Sequence, residues 1–191
     1  MKTPLLNKRV AILVADGFEQ SELEGPMHAL EDAGANVCIV STKQDTVQGM
    51  RHADKGDKFD VDLPLENARE EDFDALVLPG GLMNPDTLRS TPEAVDFVRA
   101  FAAVGKPIAA ICHAPWILIE AGLVQGRQLT SWPAIQSDIK NAGGNWLDQE
   151  VVVDNGIVTS RKPDDIPAFN AKMIEEIAEG RHAGMTAGSK K

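Results

Sequence analysis

The sequence of 191 residues predicts an α/β fold, built on a doubly wound and mostly parallel β-sheet with helices on both faces. Apolar runs of strand length alternate with amphipathic, helix-like segments along most of the chain. The runs at 10–14 and 75–78 are apolar without interruption, which is typical of strands buried on both faces of a parallel sheet. The length suits one domain, which we place at 1–180, followed by a small, polar and flexible tail at 181–191.

The first strand leads into a helix and then a second strand. Ser21 and Glu24 have the spacing of a capping box, so we expect the helix to begin there, and Gly34 marks its end. The second strand is predicted at 37–40. The polar stretch 42–65 alternates weakly and contains two glycines, which favours a hairpin excursion before the sheet resumes at the second apolar run.

The second half of the chain continues the same alternation. A threonine and proline pair opens the next predicted helix, and a glycine closes it. The Asp-Asn-Gly turn at 154–156 indicates a further hairpin. The predicted elements are a helix at 91–105, a strand at 107–111, a helix at 115–121, a short strand at 128–131, a helix at 133–142, a hairpin at 150–160 and a last helix at 167–178.

Composition argues against several classes of function. The net charge of −10 with scattered basic residues disfavours a nucleic-acid partner, which would need clustered lysine and arginine. No apolar stretch reaches the roughly 20 residues of a membrane-spanning helix, and residues 1–9 lack the apolar core of a signal peptide, so we expect a cytoplasmic protein. Cys38 is interpreted as a buried apolar thiol, and two cysteines do not make a disulfide framework. No histidine or cysteine pair has zinc-ligand spacing, so we predict neither a metal nor a cofactor.

Cys112 is the most informative residue in the chain. It lies where the predicted strand 107–111 turns directly into a helix, with Ala110 two residues before it and Ala114 two residues after it. Nucleophile elbows use small residues at those two positions so that the strained turn can close. A helix N-terminus favours the thiolate, so we expect the pKa of Cys112 to lie below the free value of about 8.5.

Two other segments are predicted to meet this elbow. Residues 16–19 follow the first strand and 79–81 follow the second apolar run, and the carboxyl ends of parallel strands share one edge of a sheet. The backbone N–H groups of Gly80, Gly81 and His113 are predicted to form an oxyanion hole there. The alternative for the glycine pair is a plain tight turn.

His113 and Glu19 are the predicted acid–base groups of this site. His113 adjoins the nucleophile and is the candidate general base, although it could instead contact only solvent. Glu19 would repel a thiolate unless burial raises its pKa and keeps it protonated as a hydrogen-bond donor. The alternative for Glu19 is a loop carboxylate in solvent.

Three motifs together resemble a known family. They are Asp-Gly-Phe-Glu at 16–19, Leu-Val-Leu-Pro-Gly-Gly at 76–81 and Ala-x-Cys-His-Ala-Pro at 110–115. In this combination and order they are similar to the ThiJ/PfpI superfamily, and the closer match is its branch of PfpI-type intracellular proteases and general stress proteins. The resemblance runs from about residue 9 to residue 177.

The resemblance implies a flavodoxin-like, class I glutamine amidotransferase-like domain that forms dimers or larger homo-oligomers. It implies Cys112 as the nucleophile and His113 as its neighbour, with an acid reaching the histidine from the adjacent subunit. The position matching that acid is Asp86, where related proteases have a glutamate. Glutaminases of this fold class carry a downstream His-x-Glu pair; here only His182 follows, so a glutaminase is excluded.

These residues support a stress-response cysteine hydrolase whose Cys112 attacks a carbonyl substrate, as a peptidase, a glyoxalase or a protein deglycase. A second hypothesis is a redox-responsive stress protein, in which Cys112 is oxidised to a sulfinic acid held by protonated Glu19. A third is a catalytically silent binding module. Trp116 and Trp132 could line a substrate pocket, but packing in the core or at an interface is the favoured interpretation.

Overall fold

A seven-stranded sheet forms the centre of the molecule in the computed structural model, which describes residues 3–185. Its strands and those of two smaller sheets are β1 (Arg9–Val14), β2 (Phe18–Glu19), β3 (Asn36–Ser41), β4 (Thr46–Arg51), β5 (Asp54–Asp60), β6 (Leu63–Pro64), β7 (Ala75–Leu78), β8 (Ile108–Ile111), β9 (Gln128–Leu129), β10 (Asn145–Trp146), β11 (Val151–Asp154) and β12 (Ile157–Ser160). The helices are α1 (Gln20–Asp32), α2 (Met83–Arg89), α3 (Pro92–Ala103), α4 (Pro115–Glu120), α5 (Gln136–Asn141) and α6 (Ile166–Glu179).

The main sheet has the strand order β11-β12-β8-β7-β1-β3-β6. All neighbours in it are parallel except β11, which pairs antiparallel with β12 through the predicted Asp-Asn-Gly turn. The predicted α/β class with a mostly parallel sheet is therefore confirmed. Because β1, β7 and β8 are adjacent and parallel, their carboxyl ends lie side by side at one edge of the sheet.

Both faces of the sheet are covered, which explains the uninterrupted apolar strands. Along β1, Ala11 and Leu13 join one buried cluster, whereas Val10, Ile12 and Val14 join the other. Successive strand side chains point to opposite faces, so a strand covered on both sides needs apolar residues at every position. One cluster includes residues of α2, α3, α4 and α5, and the other includes residues of α1 and α6.

The excursion at 42–65 contains the predicted hairpin. Strands β4 and β5 pair antiparallel, and β2 adds to β4 in parallel to make a separate three-stranded sheet. Strand β6 then returns the chain to the main sheet beside β3. The pairing of Phe18 with Gly49 carries the small sheet toward the carboxyl edge, next to the end of β1.

One local expectation was wrong, and one helix was not predicted. Helix α1 starts at Gln20 after Glu19, and no side chain caps it, so Ser21 and Glu24 form no capping box. Because β2 pairs with β4 up to Glu19, the helix begins at the next residue, and Ser21 lies inside its first turn. Helix α2 had no counterpart in the sequence prediction; Pro85 is tolerated in it because a first-turn residue needs no intrahelical N–H partner.

Residues 181–185 pack against the body of the protein, although the predicted tail begins at 181. Met185 is buried, and its carbonyl oxygen accepts a hydrogen bond from Arg127. The backbone N–H of His182 donates to the carbonyl oxygen of Gly105 at 2.7 Å. The rest of the predicted tail, 186–191, lies outside the described residues. Within 3–185, every helix is too short or too polar to cross a bilayer.

Candidate active site

The sharp turn after β8 gives Cys112 its position. Its φ of +64° is in the left-handed region, where a residue other than glycine is strained. The Cys112 N–H donates to the Ser160 carbonyl oxygen at 3.0 Å, and the Cys112 carbonyl oxygen accepts from the Trp132 N–H at 2.9 Å. These bonds hold the strained residue in place, so the predicted elbow geometry is present. The side chain is 6% exposed.

The ends of β1, β7 and β8 meet beside Cys112, as their order in the sheet requires. Asn84 links two of them, because its side chain accepts from the Ala15 N–H at 2.7 Å and donates to the carbonyl oxygens of Pro79 and Gly80. A cleft of about 210 Å³ opens over the elbow. Its lining residues are Glu19, Glu22, His52, Gly81, Leu82, Cys112, His113, Trp132 and Pro163.

His113 is placed to accept the thiol proton. Its Nδ1 atom lies 3.1 Å from the Cys112 Sγ atom. The ring stacks on Trp132 at 5.8 Å between centroids with 24° between planes, and it contacts Trp116 at 5.2 Å. Burial lowers the pKa of His113, so the imidazole is neutral at pH 7. A neutral ring with a free Nδ1 lone pair can act as a base toward the thiol.

Glu22, which the sequence analysis missed, is a carboxyl group that interacts directly with the reactive thiol. It is fully buried, and its Oε2 atom accepts from the Gly80 N–H at 2.9 Å. Burial raises its pKa to about 8, so it carries a proton at neutral pH. The signal for Glu22 was its position, because it shares the buried face of α1 with Pro26 and Leu30 at four-residue spacing.

Glu19 lies at the rim of the cleft in a different role from the one predicted. Its Oε2 atom accepts from the His52 N–H at 3.0 Å, and its Oε1 atom is 3.4 Å from the Ser21 hydroxyl. These contacts join α1 to the turn between β4 and β5. The structure thus puts Glu22, one helical turn further on, where the prediction put Glu19.

The Cys112 thiol does not have the lowered pKa expected from a helix N-terminus. Burial raises its pKa, and the adjacent Glu22 side chain raises it further, whereas the N–H groups of Gly81 and His113 act in the opposite direction. Helix α4 is only six residues long, so its dipole is small compared with the cost of burying an anion. The resting site is therefore a thiol beside a neutral imidazole and a protonated carboxyl group.

Gly80 and Gly81 are needed mainly because neighbouring groups pack too close to leave room for a side chain. Their role as N–H donors to an oxyanion is secondary. A Cβ atom on Gly80 would lie 2.5 Å from Glu22 Oε2 and 2.6 Å from Cys112 Cβ. Gly81 has a φ of +78°, and its Cβ would lie 2.7 Å from the Glu19 nitrogen. Because the Gly80 N–H is bound to Glu22, the N–H groups facing the sulfur are those of Gly81 and His113.

Asp86 lies on α2 and is not joined to His113 within the described part of this chain. Its exposed carboxylate accepts two hydrogen bonds from Arg89, at 2.9 and 2.7 Å. The Arg89 guanidinium in turn lies over the Trp116 ring, 4.3 Å from its centroid. Asp86 is thus held on the surface near the cleft, with one face open to solvent.

Comparison with known proteins places this site in a family. The family model described as "DJ-1/PfpI family" matches residues 8–176. A Bacillus subtilis protein named "Putative cysteine protease YraA" is 40% identical over 169 residues, which cover 88% of this chain and 98% of that protein. A Pyrococcus abyssi protein named as a deglycase is 44% identical over 167 residues, which cover 87% of this chain and 98% of that protein.

A solved structure gives the same result for the fold. It is a two-domain protein from Anabaena variabilis with DJ-1/ThiJ/PfpI-like and ferritin-like domains, and it matches with a TM-score of 0.85 at 34% identity. The match covers 97% of this chain and 51% of that one, so the chain spans about half the length of the two-domain protein. Since the family model covers most of the sequence and the relatives align over nearly their whole length, the chain belongs to the DJ-1/PfpI family.

Proposed function

We propose that the chain is a cysteine hydrolase of the deglycase type, which removes small carbonyl adducts from proteins or amino acids. The observation that carries this proposal is the 3.1 Å contact between the Cys112 Sγ atom and the His113 Nδ1 atom at a strained elbow. The deglycase name of a relative that is 44% identical supports the same activity.

The proposed first step is addition of the thiol to a carbonyl carbon. As the S–C bond forms, the Cys112 proton passes to His113 Nδ1 and the C=O π electrons move to the oxygen. The N–H groups of Gly81 and His113 face this region and stabilise the developing oxyanion. When the tetrahedral adduct collapses, the bond from this carbon to the leaving group breaks and the leaving group takes the proton from His113; a water molecule then hydrolyses the thioester left on Cys112, which releases the acid and restores the thiol.

The lining of the cleft favours a small carbonyl fragment next to Cys112, where the volume is about 210 Å³. Leu82, Trp132 and Pro163 give it apolar walls, and these fit the short carbon skeleton of a dicarbonyl adduct better than a charged side chain. A peptidase activity, which the name of the Bacillus subtilis relative suggests, is the competing outcome.

The proposal is tested with two substrates and three variants. Release of methylglyoxal adducts from acetyl-lysine and cleavage of a fluorogenic peptide are measured for wild type, Cys112→Ala, His113→Ala and the matched control Cys38→Ala. We expect wild type and Cys38→Ala to release adducts and Cys112→Ala to be inactive. The rate of adduct release by His113→Ala should be about 10²–10⁴-fold lower than that of wild type. Activity on the peptide alone would identify a peptidase. Full activity of Cys112→Ala would refute the assignment of Cys112 as the nucleophile.

Asp86 is proposed to reach His113 of a second subunit in a homodimer. Supporting this, its carboxylate is exposed on α2, and the neighbouring Leu82 and Met83 are large apolar side chains that are 61% and 53% exposed. Mixing Cys112→Ala with Asp86→Ala subunits tests the proposal, since each mixed dimer would contain one complete site. We expect about a quarter of wild-type activity from an equal mixture. An Asp86→Ala protein as active as wild type would place Asp86 outside the reaction, and an inactive Asp86→Ala with no recovery in the mixed dimers would exclude its action across the interface.

A second candidate function is response to peroxide, and Glu22 favours it specifically. Its Oε1 atom is buried without a hydrogen-bond partner, and its proton could be donated to an oxygen on the sulfur. The Cys112 sulfur would attack one peroxide oxygen and break the O–O bond to give a sulfenic acid and water, and a second peroxide would give the sulfinic acid. Mass spectrometry after peroxide treatment should find two added oxygen atoms in wild type and in Glu19→Gln, and fewer in Glu22→Ala. Equal oxidation of all three would remove Glu22 from this role.

A further inference from the structure

A cluster of two glutamates and a histidine lies far from the elbow, at the last turn of α6. Glu176, Glu179 and His182 each offer a ligand atom, and these atoms all lie within 4.8 Å of one another. His182 packs near Gly105 and Gly156, which precede β8 and β12 respectively. The cluster is therefore at the amino-terminal edge of the sheet, opposite the cleft, and the reaction proposed above makes no use of it.

The chain is built to hold His182 in this position. Gly180 ends α6 with a φ of +91°, which turns the backbone back toward the helix. The His182 N–H then donates to the Gly105 carbonyl oxygen at 2.7 Å, and a Cβ on Gly105 would lie 2.3 Å from the His182 carbonyl oxygen. A Cβ on Gly156 would lie 2.9 Å from the imidazole ring, so glycine is also needed beneath the ring.

One buried atom of the cluster, His182 Nε2, is not explained by ordinary hydrogen bonding. The Glu176 side chain is nine-tenths buried, and its Oε2 atom lies 3.3 Å from the His182 Nε2 atom. Despite that distance, Nε2 is buried and has no partner of hydrogen-bond geometry among the described residues.

We propose that Glu176, Glu179 and His182 form a binding site for one zinc ion. A tetrahedral zinc with bonds of about 2.0–2.2 Å needs its ligand atoms about 3.4 Å apart, and Glu176 and His182 already lie 3.3 Å apart. Glu179 is exposed, so rotation of its side chain can close the remaining gap. A water molecule takes the fourth position.

The donor set selects zinc over the common alkaline-earth ions. Imidazole nitrogen with carboxylate oxygen is a zinc ligand set, whereas magnesium and calcium take oxygen ligands. The negative end of the α6 dipole adds to the attraction for a cation. The zinc would tie the end of α6 to residues 180–185 and so stabilise the fold. The sequence analysis predicted no metal because it looked for histidine and cysteine pairs, and this cluster contains neither pair.

Zinc titration by calorimetry tests the site directly. All proteins carry Cys112→Ser, so that the cleft thiol cannot bind the metal. We expect one zinc per chain, and affinity lower by at least about tenfold in Glu179→Gln and in His182→Gln. The matched controls Glu175→Gln and His28→Gln, which change exposed residues of the same types, should bind as their parent does.

Cobalt supplies a second readout that does not depend on activity. A tetrahedral site should give intense visible absorption with Co²⁺, and this absorption should be lost in Glu179→Gln. Because Glu179 is exposed, this variant separates loss of a ligand from loss of folding, which circular dichroism would check for His182→Gln. No saturable zinc binding by the folded protein, or equal binding by parent and both variants, would overturn the proposal.

Discussion

Replacing Glu22 by glutamine should abolish a specific part of the pH dependence of stability. The pKa of Glu22 is raised from 4.5 to about 8 in the folded chain, chiefly by burial. Between these values the unfolded chain has lost the Glu22 proton and the folded chain still holds it. The unfolded state therefore binds fewer protons, and the free energy of unfolding falls as the pH rises. This contribution is complete below pH 4.5 and is lost as the pH approaches 8.

The size of the effect follows from the two pKa values. At about 1.4 kcal/mol per pH unit, the Glu22 contribution changes by about 3 kcal/mol between pH 5 and pH 8. Glutamine has nearly the same shape and keeps an oxygen for the Gly80 N–H, but it does not titrate. The free energy of unfolding of Glu22→Gln should thus decline by about 3 kcal/mol less than that of wild type over this range.

Urea unfolding at fixed protein concentration and at pH 5, 6, 7 and 8 measures this difference. The matched control is Glu19→Gln, which makes the same chemical change at the rim of the cleft, where the carboxylate accepts from the His52 N–H. Its profile should keep most of the wild-type decline, because burial and not the Glu19 charge is the chief cause of the raised pKa of Glu22. If Glu22→Gln also ran parallel to wild type, the assignment of a protonated, buried carboxyl group to Glu22 would be wrong.

Three further predictions concern stability, and urea unfolding checks each. Gly80→Ala should lower the free energy of unfolding by about 1–3 kcal/mol, because the added Cβ would lie 2.7 Å from the Ile111 carbonyl oxygen. An unchanged free energy of unfolding would contradict this packing. Asn84→Ala should lower the free energy of unfolding by at least about 2 kcal/mol, because it leaves buried backbone groups unpaired. The control Asn145→Ala changes an exposed asparagine and should shift the free energy of unfolding by no more than about 0.5 kcal/mol. Cys112→Gly should be about 1 kcal/mol more stable than Cys112→Ala, since a φ of +64° suits glycine; the reverse order would argue against strain at the elbow.

Much of the fold and part of the site were predictable because local pattern determines them. The strand 75–78 and the turn at 154–156 are present as predicted, since burial on both faces and turn chemistry act within a few residues. Helix α2 was missed because its short segment combines a proline with exposed Leu82 and Met83 and has no clear amphipathic pattern.

The expectations for acid–base groups failed where they depended on distant contacts. Glu19 ends β2 and Glu22 lies three residues further on in α1, and only the direction of each side chain decides which one meets the thiol. Glu22 meets Gly80, which is 58 residues away in sequence, through packing of α1 against the strand ends. The pKa of Cys112 likewise depends on how deeply the completed fold buries it.

The sequence by itself determined the order of most elements, the parallel sheet and the elbow that carries Cys112 and His113. These depend on hydrophobic period and on covalent neighbours, which a chain cannot rearrange. The tertiary structure alone decided that Glu22 holds the buried proton, that Gly80 serves Glu22, and that Asp86 lies with Arg89 on the surface. Each of these depends on the desolvation and spacing of groups that come together only when helices close over both faces of the sheet.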